Sequence, residues 1–389
     1  MADLYDYLTW RGDITFGRSP LNEIDNLIFS ILAYGKYGKI FQNLPDQESL
    51  PLVEVAKEYG RREEAQKEKE KNLGFFAEVP LLLEKAAATR RFAKVRLSRF
   101  VDELDQNRTI QFAAMVFSMG KNNHYIAFRG TDTNLVGWKE DLQMSFREEI
   151  PAQNSGASYL HQVVSELPGV FAVGGHSKGG NVAVFASVKA STEERTRIQA
   201  VYNNDGPGFH PEFIESAPYK EMFSRIYVFI PKSSIVGILL EHGGDYSVIG
   251  SKQISILQHD PFSWEIEGPH FRKEEGLAKG TLAMKSAIRS WLATVSKEER
   301  EQFVKGFCEL IEATGAQTLE DLTNDKLQSA YAILRAYTHM GRQSRANLKK
   351  TMDILFKESR KSFAETILEG IDHLLPKKHN QKTIESDRA

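Results

Sequence analysis

The chain has 389 residues, 41% of them apolar and 26% charged, with a formal net charge of −2 at pH 7. This length can bury a full core and leaves room for more than one domain, and the near-neutral balance excludes a general pull toward nucleic acid. A single cysteine, Cys308, excludes an internal disulfide framework; with no apolar signal core in "MADLYDYLTWRGD" and no run of membrane-spanning length, a cytoplasmic setting is expected.

Ser19-Pro20 offers an N-cap and a first-turn proline, and Ile24, Leu27, Ile28, Ile31 and Leu32 follow at helical spacing. The charge run at 54–72 reads as a solvated helix or connector. Residues 85–100, "KAAATRRFAKVRLSRF", read as a basic surface helix. From about 108 the period changes. "IQFAAMVFSM" and "HYIAFRG" predict two adjacent strands joined by the Gly120–Asn123 turn. Further strands are expected at 169–174, 198–204, 225–230 and 252–258, separated by helices near 158–167, 179–190 and 210–222. Such alternation predicts an α/β fold with a mostly parallel sheet flanked by helices. The apolar stretch Ile235–Leu240 reads as the lining of an acyl pocket or as an amphipathic helix. After 276 the pattern is helical: Ser296 to Glu299 forms a capping box, Gly315 ends the helix, and others follow near 325–340 and 345–375 before a frayed tail. The division expected is a helical N-terminal segment (1–100), an α/β core (101–275) and a helical C-terminal region (276–389).

One stretch carries chemistry. Residues 171–187, "FAVGGHSKGGNVAVFAS", run from an apolar strand through a glycine-dense corner into an Ala/Val-rich helix. G-x-S-x-G between strand and helix is the context of the nucleophile elbow of α/β-hydrolases, which makes Ser177 the candidate nucleophile. Flanking glycines are needed there because any Cβ beside the strained serine would strike a neighbouring strand or helix.

A serine hydroxyl needs a general base, an acid to orient that base, and donors for the developing oxyanion. With the chain order Ser, Asp or Glu, then His, the base lies among His210, His242, His259 and His270. "QISILQHDPFSW" puts His259 at the end of the last strand expected, so it is the candidate; His242 and His270 follow it. His176 faces away from the nucleophile in an elbow. The loop "FIPKSSIVG" holds no carboxylate, whereas the strand before it ends "YNNDGPGF", which makes Asp205 the candidate acid, with Asp245 and Asp260 as alternatives. The backbone N–H of Lys178 is one candidate oxyanion donor. Thr131, in the Arg129-Gly130-Thr131 turn after a strand, is the other.

Arg129-Gly130-Thr131, Trp138, Asp141-Leu142 and then Gly-His-Ser-x-Gly-Gly together resemble the class 3 lipases, and more closely an uncharacterised bacterial lipase-like group marked by "FRGTD", "GWKEDLQMSF", "GHSKGGN", "DGPGF" and "QHDPFSW". The resemblance covers about residues 20–275. It implies an α/β-hydrolase fold and esterase or lipase activity with Ser177 as nucleophile and Thr131 at the oxyanion hole, and it maps a lid onto about Thr133–Trp138. The chain departs from it twice. Ser234-Ile235-Val236 stands where class 3 lipases carry their acid, and Lys178 replaces the usual leucine after the nucleophile. No H-E-x-x-H, paired C-x-x-C or P-loop is present, and neither metal nor cofactor is implied. The expected activity is hydrolysis of an acyl ester or thioester of a small or lipid substrate; the alternative is a catalytically silent hydrolase scaffold that binds a lipid or protein partner.

Overall fold

Apolar runs bounded by turns pair here into one eight-stranded sheet: β1 (Leu50–Pro51), β2 (Arg96–Asp105), β3 (Ile110–Ser118), β4 (Asn123–Phe128), β5 (Val170–His176), β6 (Ile198–Asn204), β7 (Ile226–Pro231) and β8 (Ser247–Ile249). The computed structural model describes residues 1–42, 44–45, 48–61, 74–318, 321, 326–342, 344–346, 348–351 and 353. Spatial order follows chain order. β1 to β4 pair antiparallel and β4 to β8 pair parallel. Strands β3, β4 and β5 are buried along nearly their whole length, which requires cover on both faces and explains their continuous apolar sequences.

That cover is helical. Successive side chains of a strand point to opposite faces. Met115, Phe117, Tyr125 and Ala127 therefore meet one layer, built from α1 (Leu4–Arg11), α2 (Glu23–Leu32) and α3 (Val79–Ala87). Val116, Ile126, Phe128 and Val173 meet the other, built from α5 (Pro151–Glu166) and α6 (Lys178–Lys189). Between β4 and α5 lies the short helix α4 (Leu135–Gln143), and the C-terminal region begins with α7 (Lys279–Thr294) and α8 (Lys297–Glu312). The architecture is that of an α/β-hydrolase. No helix among the described residues is long and apolar enough to cross a membrane.

Four sequence expectations change. The N-terminal helix α2 is capped by Asn22, in a capping box with Asp25, and not by Ser19. The surface helix expected at 85–100 ends at Ala87, and Arg96 onward is strand β2. A register shift between Ser98 and Val101, with Arg99 at φ 55°, breaks the alternation that would have betrayed this strand. The strand expected at 252–258 is a 3₁₀ turn, Ser255–His259, and the last sheet strand is β8. Ile254, Ile256 and Leu257 are 75%, 57% and 58% exposed, so their apolar pattern marks no buried strand face. Ile235–Leu240 forms turns and no helix, with Ile238 packed into a small cluster beside Val228 and Ile230 and Leu240 packed against the core on the α5 and α6 side. Residues 62–73 of the charge run, most of 345–375 and the tail lie outside the described residues.

Candidate active site

β5 ends at His176, helix α6 starts at Lys178, and Ser177 between them has φ 59° and ψ −134°. A non-glycine residue at positive φ is strained and is held there only by its surroundings. The surroundings are tight. A Cβ at Gly175 would lie 2.3 Å from the carbonyl carbon of Gly179, and one at Gly179 would lie 2.1 Å from the Phe128 oxygen. Both glycines therefore allow strand, corner and helix to touch. The Ser177 N–H donates to the Asn204 carbonyl (2.9 Å), and the Asn204 amide donates to the Gly175 carbonyl (3.0 Å), so the ends of β5 and β6 are laced together.

One residue past the end of β6, Asp205 also has positive φ, 56°, and is fully buried. Its Oδ2 accepts from His259 Nδ1 at 2.7 Å. Burial pushes the Asp205 carboxyl up from its ordinary range, and the hydrogen bond and charge of His259 pull it back. The Ser234 hydroxyl and the Gly237 N–H, on the turn after β7, also favour the charged form, although Oδ1 itself makes no contact of hydrogen-bond geometry. Ser234 is thus a buried neighbour of the carboxylate.

His259 lies at the end of the 3₁₀ turn and its side chain is 21% exposed. Its ring sits 4.6 Å from that of His176, the residue before Ser177. His176 Nε2–H donates to the His259 carbonyl (2.9 Å), and the Tyr34 hydroxyl lies 3.1 Å from His176 Nδ1. A carbonyl only accepts, so His176 carries its proton on Nε2 and receives the Tyr34 hydrogen bond on Nδ1. Burial, reinforced by the charge of His259, holds His176 well below the ordinary histidine range. Trp264 Nε1–H donates to the neighbouring Gln258 carbonyl (2.8 Å) and completes the anchoring of this loop. His176 is thus turned toward the histidine loop and Tyr34.

The other candidates make their hydrogen bonds elsewhere. His210 bonds the Met144 carbonyl, His242 the Gly237 carbonyl and His270 the Glu23 carboxylate. Asp260 accepts from the Phe262 N–H and caps the next 3₁₀ turn, while Asp245 is exposed on the loop before β8.

Thr131 follows β4, and its hydroxyl donates to Asp141 Oδ2 at 2.6 Å. Lys178, at the first position of α6, buries its side chain completely. Nζ donates to Glu140 Oε2 (2.7 Å) and to the Gln111 carbonyl (3.0 Å), and lies 3.7 Å from Asp141 Oδ1. Glu140 also accepts from the N–H groups of Ala152 (2.7 Å) and Gln111 (3.2 Å), so its buried charge is fully partnered. Burial raises the Asp141 carboxyl, against the pull of Lys178 and Thr131. Neither carboxylate stood out in the sequence as a functional residue. The signal was the lysine: a buried ammonium on a helix packed against a sheet demands a carboxylate within reach.

The Mbeg1-like family profile matches residues 86–309, more than half the chain and the span from β2 to α8. The chain belongs to the Mbeg1-like family. Ser177, Asp205, His259 and Thr131 all lie within the matched residues of this Mbeg1-like chain. Two solved structures are similar at low identity. One is a fungal lipase–inhibitor complex described as a model for interfacial activation in lipases: 15% identical, covering 51% of this chain and 76% of that one, with a TM-score of 0.32. The other is M37 lipase: 15% identical, covering 56% of this chain and 70% of that one, with a TM-score of 0.29. Among curated proteins, none matches.

Proposed function

We propose that this chain is a serine ester hydrolase in which Ser177, His259 and Asp205 act as a triad on an acyl ester or thioester. The observation that carries the reading is the 2.7 Å bond between His259 Nδ1 and the buried Asp205, made beside a serine held at positive φ. With Nδ1 engaged, Nε2 is the nitrogen left to serve the hydroxyl. His259 takes the Ser177 proton as Oγ attacks the carbonyl carbon, the oxyanion collapses, and the imidazolium gives its proton to the departing alcohol or thiol. Water then repeats the sequence on the acyl-enzyme and releases the acid. The first N–H groups of α6, that of Lys178 among them, have no partner within the helix and suit a developing negative charge. The Thr131 N–H is the second donor. Its hydroxyl is committed to Asp141, so it is the backbone that is offered to the oxyanion.

An apolar acyl group is favoured by Ile254, Ile256 and Leu257, exposed on the turn leading into His259, and by Phe75 and Phe76 packed on Tyr34. The bond between His259 and Asp205 favours the hydrolase over a silent scaffold, because a carboxylate at the end of β6 can serve where the loop after β7 has none. The test is covalent labelling by a fluorophosphonate probe together with hydrolysis of a chain-length series of p-nitrophenyl esters. Wild-type protein should label and turn over, and Ser177→Ala should do neither. Equal labelling of the two proteins would refute the assignment.

A further inference from the structure

Three consecutive residues of α4 point at three different partners. Asp141 holds the Thr131 hydroxyl, Glu140 holds the Lys178 ammonium, and Lys139 reaches Glu312 at the end of α8 (2.6 Å). One helical turn therefore connects both proposed oxyanion residues to the C-terminal helical region. The connection extends along the whole helix. At its start the Leu135 N–H donates to the Gln317 carbonyl (2.9 Å), and Asn134 forms an antiparallel bridge with Thr318. The Asp321 carboxylate holds that strap in turn, accepting from the Gln317 and Thr318 N–H groups (2.9 Å each). At its other end Leu142 and Phe146 pack against Phe303, Val304 and Cys308 of α8. The expected lid segment, Thr133–Trp138, thus lies partly in the first turns of α4, under this strap.

We propose that α8 and the strap at 313–318 are a positioning brace for the oxyanion hole: docked, they hold α4 so that Asp141 and Glu140 fix the Thr131 turn and the start of α6. The inference rests on the hydrolase reading for its catalytic consequence, but not for the mechanical coupling. None of the brace residues touches Ser177, Asp205 or His259. Their contacts toward the site run through α4 and the segment just after it, where Phe146 packs on Val304 and Cys308 and Lys297 pairs with Glu148. Positional errors of about 1 Å in catalytic geometry cost on the order of 100-fold in rate, so a loosened brace acts on turnover before it acts on substrate binding.

The test undocks α8 with Val304→Asp in the full chain and reads two quantities. The first is amide hydrogen exchange. Protection should fall across Thr131–Gln143 and stay unchanged across Lys178–Lys189 beyond the first turn and across 259–264. The second is turnover of a soluble short-chain ester, where kcat should fall at least about tenfold with KM held within about twofold. Val304→Ala, which removes two methyl groups without adding charge, should shift both in the same direction by less, and it carries the test if the aspartate variant does not fold. Unchanged exchange at Thr131–Gln143 overturns the brace. Faster exchange there with unchanged kcat overturns its link to the oxyanion donors, and a rise in kcat makes α8 an inhibitory latch instead. Absence of any Ser177-dependent turnover in the wild type sinks the hydrolase reading, while the exchange experiment still judges the mechanical coupling.

Discussion

Asp205 and His259 are 54 positions apart in the chain and share one hydrogen bond, so the proposed triad acid comes from the strand next to the serine's own. The consequence at this scale is sharp. Asp205→Asn should lower kcat by roughly 10⁴-fold, since the amide stabilises the wrong imidazole tautomer and offers no charge to the imidazolium. Asp245→Asn and Asp260→Asn should leave kcat within about threefold, because one side chain is exposed and the other is spent on a cap; a large loss in either, with Asp205→Asn still active, would move the acid. Asp205 was legible as a carboxylate ending a strand, whereas His259 was chosen for ending an expected strand, 252–258, that the structure builds as a 3₁₀ turn, so it entered the pair on a signal the fold does not contain. The contact between the two histidine rings was not legible. His176 precedes Ser177, and nothing in "GHSKGG" announces that its ring lies against another ring 83 residues further on. Ser234 was visible only as a missing carboxylate, and its place beside Asp205 needed the turn after β7 to be built.

Between elements, the contact that most constrains the site is the Lys178–Glu140 pair, which ties the start of α6 to α4 with both side chains out of water. A buried pair is weak evidence of net stability, but removing one partner strands the other. Lys178→Met should therefore cost about 3–5 kcal/mol in urea unfolding. The double variant Lys178→Met/Glu140→Gln should recover part but not all of that loss: the neutral amide leaves no buried charge, while the oxygen it gives up was the acceptor of the Ala152 or the Gln111 N–H. If the double variant were no more stable than Lys178→Met alone, the pair would owe its place to packing and not to charge. Among elements, strands buried on both faces were readable, as β3 to β7 demonstrate: a continuous apolar run between turns has few other homes. β2 escaped because its charged residues line a half-wet face and its bulge interrupts the period. Residues 252–258 misled in the opposite sense, with an alternation of isoleucines that the fold spends on exposed surface.

For the molecule as a whole, several polar groups are buried whose protonation differs between folded and unfolded chain. His242 donates to the Gly237 carbonyl from a site that is 5% exposed, and burial brings it down to about 4. Unfolded, a histidine titrates near about 6.5. Between those values the unfolded state holds the extra proton, so stability falls as pH falls, fully present above about 6.5 and lost on the way to 4; the gap corresponds to about 3 kcal/mol. His176, also held low by burial, acts in the same direction. The buried carboxyls of Asp25, Asp141 and Asp205 are raised instead. They take up protons more readily in the folded chain, and so oppose the histidines toward the acid end. A bare pH–stability curve mixes these contributions, but a difference curve does not. His242→Gln keeps a donor for the Gly237 carbonyl and has no proton to gain. Its stability relative to wild type should rise by about 2.5 kcal/mol between pH 7 and pH 4.5, measured as urea midpoints at constant m-value. Parallel curves for the two proteins over that range would mean that His242 takes up its proton as readily in the folded chain as in the unfolded one, and would refute its part in the acid sensitivity.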